Sequence, residues 1–100
     1  MEKFLYYNEL YLIYKDLLND KTSEVFDLYY GENLSMQEIA DIKEISKSRV
    51  GMIIKNVEKK LDKYESILKI YEKNTILNNL LSINDLDKIR STIREIVKGE

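Results

Sequence analysis

The chain has no cysteine and no histidine among its 100 residues. The first absence excludes disulfides and thiolate chemistry; the second removes imidazole as a metal ligand and as a general base. Little is left from which to build an enzyme, so none is expected, and neither a metal site nor a cofactor is expected. Proline is also absent and only three glycines occur. Nothing but short polar caps therefore interrupts long helices in a sequence rich in Leu, Ile, Lys and Glu. No stretch nears the ~20 apolar residues of a membrane span, and no basic segment followed by an apolar run opens the chain. A cytoplasmic protein with no membrane attachment is the expectation.

What is present suits one compact helical domain. A hydrophobic content of 44% over 100 residues supplies a modest core, too little for two independent domains. The net charge of −2 hides an uneven distribution. Residues 1–42 hold three Lys against nine Asp or Glu, a net of −6, whereas residues 43–63 hold six Lys and one Arg against three acids, a net of +4. Residues 64–100 balance six against six.

Periodicity predicts the elements. Phe4, Leu5, Leu10, Leu12, Ile13, Leu17 and Leu18 give residues 1–18 a mostly helical pattern with two apolar faces. Asn19 offers an N-cap to a second helix running to Tyr30, with Val25, Phe26, Leu28, Tyr29 and Tyr30 on its apolar side, and Gly31 to Asn33 end it in a polar turn. Ser35 followed by Glu38 is a capping box for a short helix carrying Met36, Ile39, Ala40 and Ile42. After a connector at residues 43–45, Ser46 caps a helix whose apolar positions Val50, Ile54, Val57, Leu61, Tyr64, Leu68 and Tyr71 alternate by four and three, a three-heptad seam. A further helix or bent continuation passes through Ile76, Leu77, Leu80 and Leu81. Asn84 caps a last helix presenting Leu86, Ile89, Ile93, Ile96 and Val97, closed by Gly99.

The run from Met36 to Lys55 has the grammar of a helix-turn-helix: a short helix, a tight connector and a second helix capped by Ser46. Ala40 is small where two steeply crossing backbones approach, and Ile39, Ile45, Val50 and Ile53 supply the contacts that fix the crossing. If the second helix enters a major groove, its first turns face bases and phosphates, which makes Lys47, Ser48, Arg49, Gly51 and Met52 the candidate readers. Lys55, Lys59, Lys60 and Lys63 follow, some of them to meet phosphates. The nucleic-acid-binding set is Lys47, Ser48, Arg49, Met52, Lys55 and Lys59. Glu44 occupies the turn position where glycine is usual, Lys43 stands where an apolar residue is common, and Gly51 weakens the second helix by roughly 1 kcal/mol relative to alanine. These departures favour a basic docking surface over a base reader.

Leu17-Leu18, Leu28-Tyr29-Tyr30, Ser35-Met36, Glu38-Ile39-Ala40, Ile45-Ser46 and Ile54-Lys55 resemble the YlxM-like family of small bacterial helix-turn-helix proteins over about residues 10–75. That family is itself similar to the fourth region of sigma factors, whose pattern Glu38-Ile39-Ala40 and Ile45-Ser46-Lys47-Ser48-Arg49-Val50 match. The resemblance implies an all-α, sigma region-four-like helix-turn-helix bundle without a wing. The expected layout is a single domain over 1–100, with a core over 1–63 that includes part of a long helix and a C-terminal helical extension over 64–100. It also implies a regulatory or accessory protein of the signal recognition particle pathway, since family genes commonly neighbour those of the particle's GTPase and its receptor.

Two functions fit. One is a nucleic-acid-binding regulator whose target is DNA or the particle's RNA. The other is a protein-interaction module in which the seam from Val50 to Tyr71 pairs with a second copy, as a homodimer, or docks on the particle's GTPase; a monomer would bury that seam on residues 1–30.

Overall fold

The computed structural model describes residues 2–99. Six α-helices are described: α1 (Glu2–Tyr14), α2 (Asp20–Phe26), α3 (Met36–Lys43), α4 (Lys47–Leu68), α5 (Ile70–Leu80) and α6 (Leu86–Lys98). No strand occurs among the described residues, so the all-α class is met. No helix among them is long and apolar enough to cross a membrane. The chain divides into two compact units, one through residue 68 and one from residue 69.

In the first unit α4 is the axis on which α1, α2 and α3 pack. Its buried residues Val50, Ile54, Val57 and Leu61 repeat at helical spacing and form one row. Facing them are Leu10, Tyr11 and Tyr14 of α1, Val25 and Phe26 of α2, and Ile39 and Ala40 of α3, all buried. Aromatic rings complete the core, with Phe26 stacked on Tyr30 at 4.3 Å and Phe4 on Tyr30 at 4.5 Å. Tyrosine suits this place because its ring is apolar while its hydroxyl can reach a wet rim. α1 shows only one of its two apolar sides to the core; Leu5 and Leu12 are exposed.

Short polar signals set the boundaries. A 3₁₀ turn (Lys15–Leu17) follows α1, and the Asn19 side chain then accepts the Thr22 amide at 3.1 Å to start α2. α2 widens into one π-helical turn (Asp27–Gly31), which places Tyr30 in the core.

The expected seam helix stops short of Tyr71. α4 ends at Leu68, and Lys69 adopts a left-handed conformation (φ 52°) before α5 begins. The seam therefore keeps Val50 to Leu68 on one helix and has Tyr71 on the next. Its positions Val50 to Leu61 are closed within the unit, and Tyr64 rests beside Tyr14 with ring centres 5.9 Å apart.

In the second unit α5 and α6 pack on each other. The cap of α6 is Asp85, not Asn84: the Asp85 carboxylate accepts the Lys88 amide at 3.1 Å. Two adjacent residues could each cap, and the charged one is favoured by the positive end of the helix dipole. Gly99 closes α6 at φ 77°. No α6 side chain is fully buried, and Leu86 and Val97 are largely exposed.

Candidate nucleic-acid interface

The helix-turn-helix is α3, a three-residue turn and α4. Ser35 and Glu38 close a reciprocal capping box, with the Glu38 amide donating to Ser35 Oγ at 3.1 Å and the Ser35 amide donating to Glu38 Oε1 at 3.0 Å. The hydrogen bonds from Ser35 hold the Glu38 carboxyl below the usual carboxylate range. At the other end Glu44 is left-handed (φ 55°), and the amides of Glu44 and Ile45 both donate to the Ala40 carbonyl, Ile45 at 3.1 Å. This is the closure that glycine normally permits, here made by a residue with a Cβ. Ser46 Oγ then accepts the Arg49 amide at 3.0 Å and starts α4. Ile39, Ala40 and Val50 are buried at the crossing while Ile45 and Ile53 are half-buried. Lys43 forms an ion pair with Glu24 of α2 at 2.6 Å, which accounts for a charge where an apolar residue is usual.

α4 separates its charges by side. On the side toward α1 and the π turn, its three acids each accept a tyrosine hydroxyl: Glu58 from Tyr30 at 2.5 Å, Asp62 from Tyr7 at 2.8 Å and Glu65 from Tyr14 at 2.6 Å. Burial, and next the hydrogen bonds to these carboxylates, push the Tyr30 and Tyr7 hydroxyls far above the ordinary tyrosine range. The side away from the core carries Ser48, Met52, Lys55, Lys59 and Lys63, spaced by four, three, four and four and all exposed. The one ion pair among the described residues is Lys43–Glu24, so the α4 lysines have no counter-ion among those residues.

The structure places the six expected site residues in three positions. Lys47, Ser48, Met52 and Lys55 line one shallow groove of about 590 Å³, with Gly51 and with Met36 from α3. Arg49 lies on the opposite flank, in a groove of about 550 Å³ shared with Lys21, Glu24 and Lys43. Lys59 continues the outer row one turn beyond the first groove. Adjacent residues on a helix point about 100° apart, so Lys47 and Arg49 could not share a face, and the period alone carried that information. Lys21 and Met36 were missed because they come from other elements. From Lys47 to Lys63 the helix rises about 24 Å, roughly twice the width of a DNA major groove. Among the described residues no group of three or more acidic side chains is placed to hold a metal ion.

The capped α3, the left-handed turn and the exposed basic α4 define a helix-turn-helix protein. The chain belongs to the UPF0122 family, described as "Putative helix-turn-helix protein, YlxM / p13 like", whose model matches residues 1–98. It is 46% identical over 82 residues to a UPF0122 protein of Ureaplasma parvum serovar 3, covering 81% of this chain and 83% of that protein. It is 39% identical over 89 residues to a probable UPF0122 protein of Mycoplasma mycoides, covering 89% and 79%. A UPF0122 protein of Thermoanaerobacter sp. is 33% identical over 99 residues, covering 99% and 80%.

Proposed function

We propose that this chain is a cytoplasmic, non-enzymatic regulator that binds nucleic acid through the first turns and outer row of α4. The observation that carries the reading is the row Lys55, Lys59 and Lys63, exposed and without counter-ions among the described residues, on a helix whose acids are all engaged by tyrosines on another side. Cations left unpaired at regular spacing match phosphates, and their release of counter-ions makes binding salt-dependent. Lys47, Ser48 and Met52 stand where base edges would be met, Lys55 and Lys59 where phosphates would be.

Mobility shift with duplex DNA and with the signal recognition particle's RNA, at two salt concentrations, tests this. Lys55→Ala with Lys59→Ala should lower the slope of log affinity against log salt by about 0.9 per lost contact, while stability stays within about 0.5 kcal/mol. No shift of either nucleic acid at low salt would sink the reading. The finer role in the signal recognition particle pathway rests on family resemblance; preference for the particle's RNA, increased by its GTPase, supports it.

A second reading, a protein-interaction module, draws on exposed apolar residues of α6. Leu86, Ile93 and Val97 are 68%, 42% and 81% exposed, whereas the inner seam is closed. A homodimer or a GTPase complex using α6 would be lost in Ile93→Asp, read by sedimentation and by pull-down.

A further inference from the structure

Three cations from three elements meet in the groove between α2 and the start of α4: Lys21 of α2, Lys43 at the end of α3 and Arg49 of α4. Half-buried Ile45 and Ile53 and buried Val25 give it an apolar floor. Lys21 comes from the acidic part of the chain, so its position here does not follow from the basic block. Lys21 and Arg49 are exposed and form no ion pair among the described residues, although Glu24 lies near enough to Lys21 to feel its charge. Lys43 is held by Glu24 at 2.6 Å, and Glu24 is the acid that lines the groove. The Thr22 hydroxyl, also in the lining, is engaged by Asn19.

The first turns of α4 thus form a ridge between two grooves, with Lys47 and Lys55 on one side and Lys21, Lys43 and Arg49 on the other. A duplex groove that receives a helix has phosphates along both walls, so a ridge that enters it is held best by cations on both flanks. We infer that the α2–α4 groove takes a backbone phosphate of the bound nucleic acid, contacted by Lys21 and Arg49, and that Glu24 weakens this contact by holding Lys43 and repelling the phosphate. This inference rests on the nucleic-acid reading above.

Binding by the full chain to duplex DNA and to RNA, across a salt series, tests it. Lys21→Ala and Arg49→Ala should each lower the salt slope by about 0.9. Glu24→Gln should do the reverse, tightening binding several-fold and steepening the slope by up to about 0.9. Thermal unfolding of each variant shows whether the fold is intact; a surface pair of this kind contributes little to stability. If Lys55→Ala and Lys59→Ala lower the slope but Lys21→Ala and Arg49→Ala do not, the inference falls and the nucleic-acid reading stands. If the wild type binds no nucleic acid at low salt, both fall. Weaker binding by Glu24→Gln overturns the role given to Glu24. Inorganic phosphate, exchanged for chloride at fixed ionic strength, is the free-anion probe. It should not displace nucleic acid, and displacement that disappears in Lys21→Ala would assign the groove to a free anion and overturn the inference.

Discussion

The side of α4 toward α1 and its outward side use the same helix for different ends. Toward α1, Glu58, Asp62 and Glu65 accept the hydroxyls of Tyr30, Tyr7 and Tyr14, and the neighbouring row Val50 to Leu61 is buried. Outward, Lys55, Lys59 and Lys63 form no ion pair with an acid among the described residues. Had the acids faced the lysines at i, i+4 spacing, both would have been neutralised in weak surface pairs. Tyrosine engages the carboxylates without cancelling their charge against the lysines, so the fold is tied by neutral donors and the cations remain available. Substitutions toward the core should therefore change stability and spare binding, and outward ones the reverse.

The largest effect that would break this division is in the buried row. Leu61→Ala removes a side chain that is 0% exposed, and a loss of about 2 to 5 kcal/mol is expected from the transfer and cavity terms. Denaturant unfolding measures it. A loss under 1 kcal/mol would mean that α4 is not packed as described.

Tyr30→Phe is next, at about 1 to 2 kcal/mol, since it removes a hydrogen bond to a charged acceptor and keeps the ring in its stack. It also has a signature in pH. Tyr30 and Tyr7 titrate well above the ordinary value of 10.0, and burial followed by the nearby Asp27 carboxylate pushes Tyr11 up to about 12. Above pH 10 the unfolded chain loses these protons while the folded chain keeps them, so stability is fully present below pH 10 and declines as pH rises toward and past 12. The alkaline decline should be shallower in Tyr30→Phe than in the wild type, a difference that lysine titration, common to both, cannot produce. Equal slopes would remove the tyrosines from the account.

Glu44→Gly touches neither side and sharpens the comparison by acting on the turn that aims α4. A residue with a Cβ in the left-handed region costs about 1 kcal/mol, which glycine does not incur. A rise in Tm of about 4 to 8 °C is expected for a domain of this size, and a fall would mean that the Glu44 side chain stabilises the turn in another way.

The caps show how much of this was legible. Ser35 with Glu38, Ser46 and Asn19 act through amides three residues away, and such signals are written locally. The break at Lys69 was not legible, because neither glycine nor proline marks it and a lysine takes the left-handed conformation instead. The tyrosine–carboxylate pairs join residues 28, 51 and 55 positions apart, beyond any periodic pattern. Of the site, the outer row of α4 followed from the helical period. The grouping of Arg49 with Lys47 ignored that same period, and Lys21 entered only once α2 was placed beside α4.

Gly51 gives the finest test of the outward side. It lies inside α4, where alanine would be favoured by about 0.5 to 1 kcal/mol. Its backbone is not in the positive-φ region, and a Cβ there would stand 3.7 Å from Met36 Sδ, an ordinary contact. Gly51→Ala should therefore stabilise the fold. Since Gly51 lines the groove with Lys47, Ser48, Met52 and Lys55, the same methyl group would fill part of the space open to a ligand. Higher stability with unchanged affinity would place the contact on the lysines alone. Higher stability with weaker binding would show that nucleic acid approaches the backbone of α4 closely enough for a glycine to matter, and would extend the working face from the cationic row to the groove beside it.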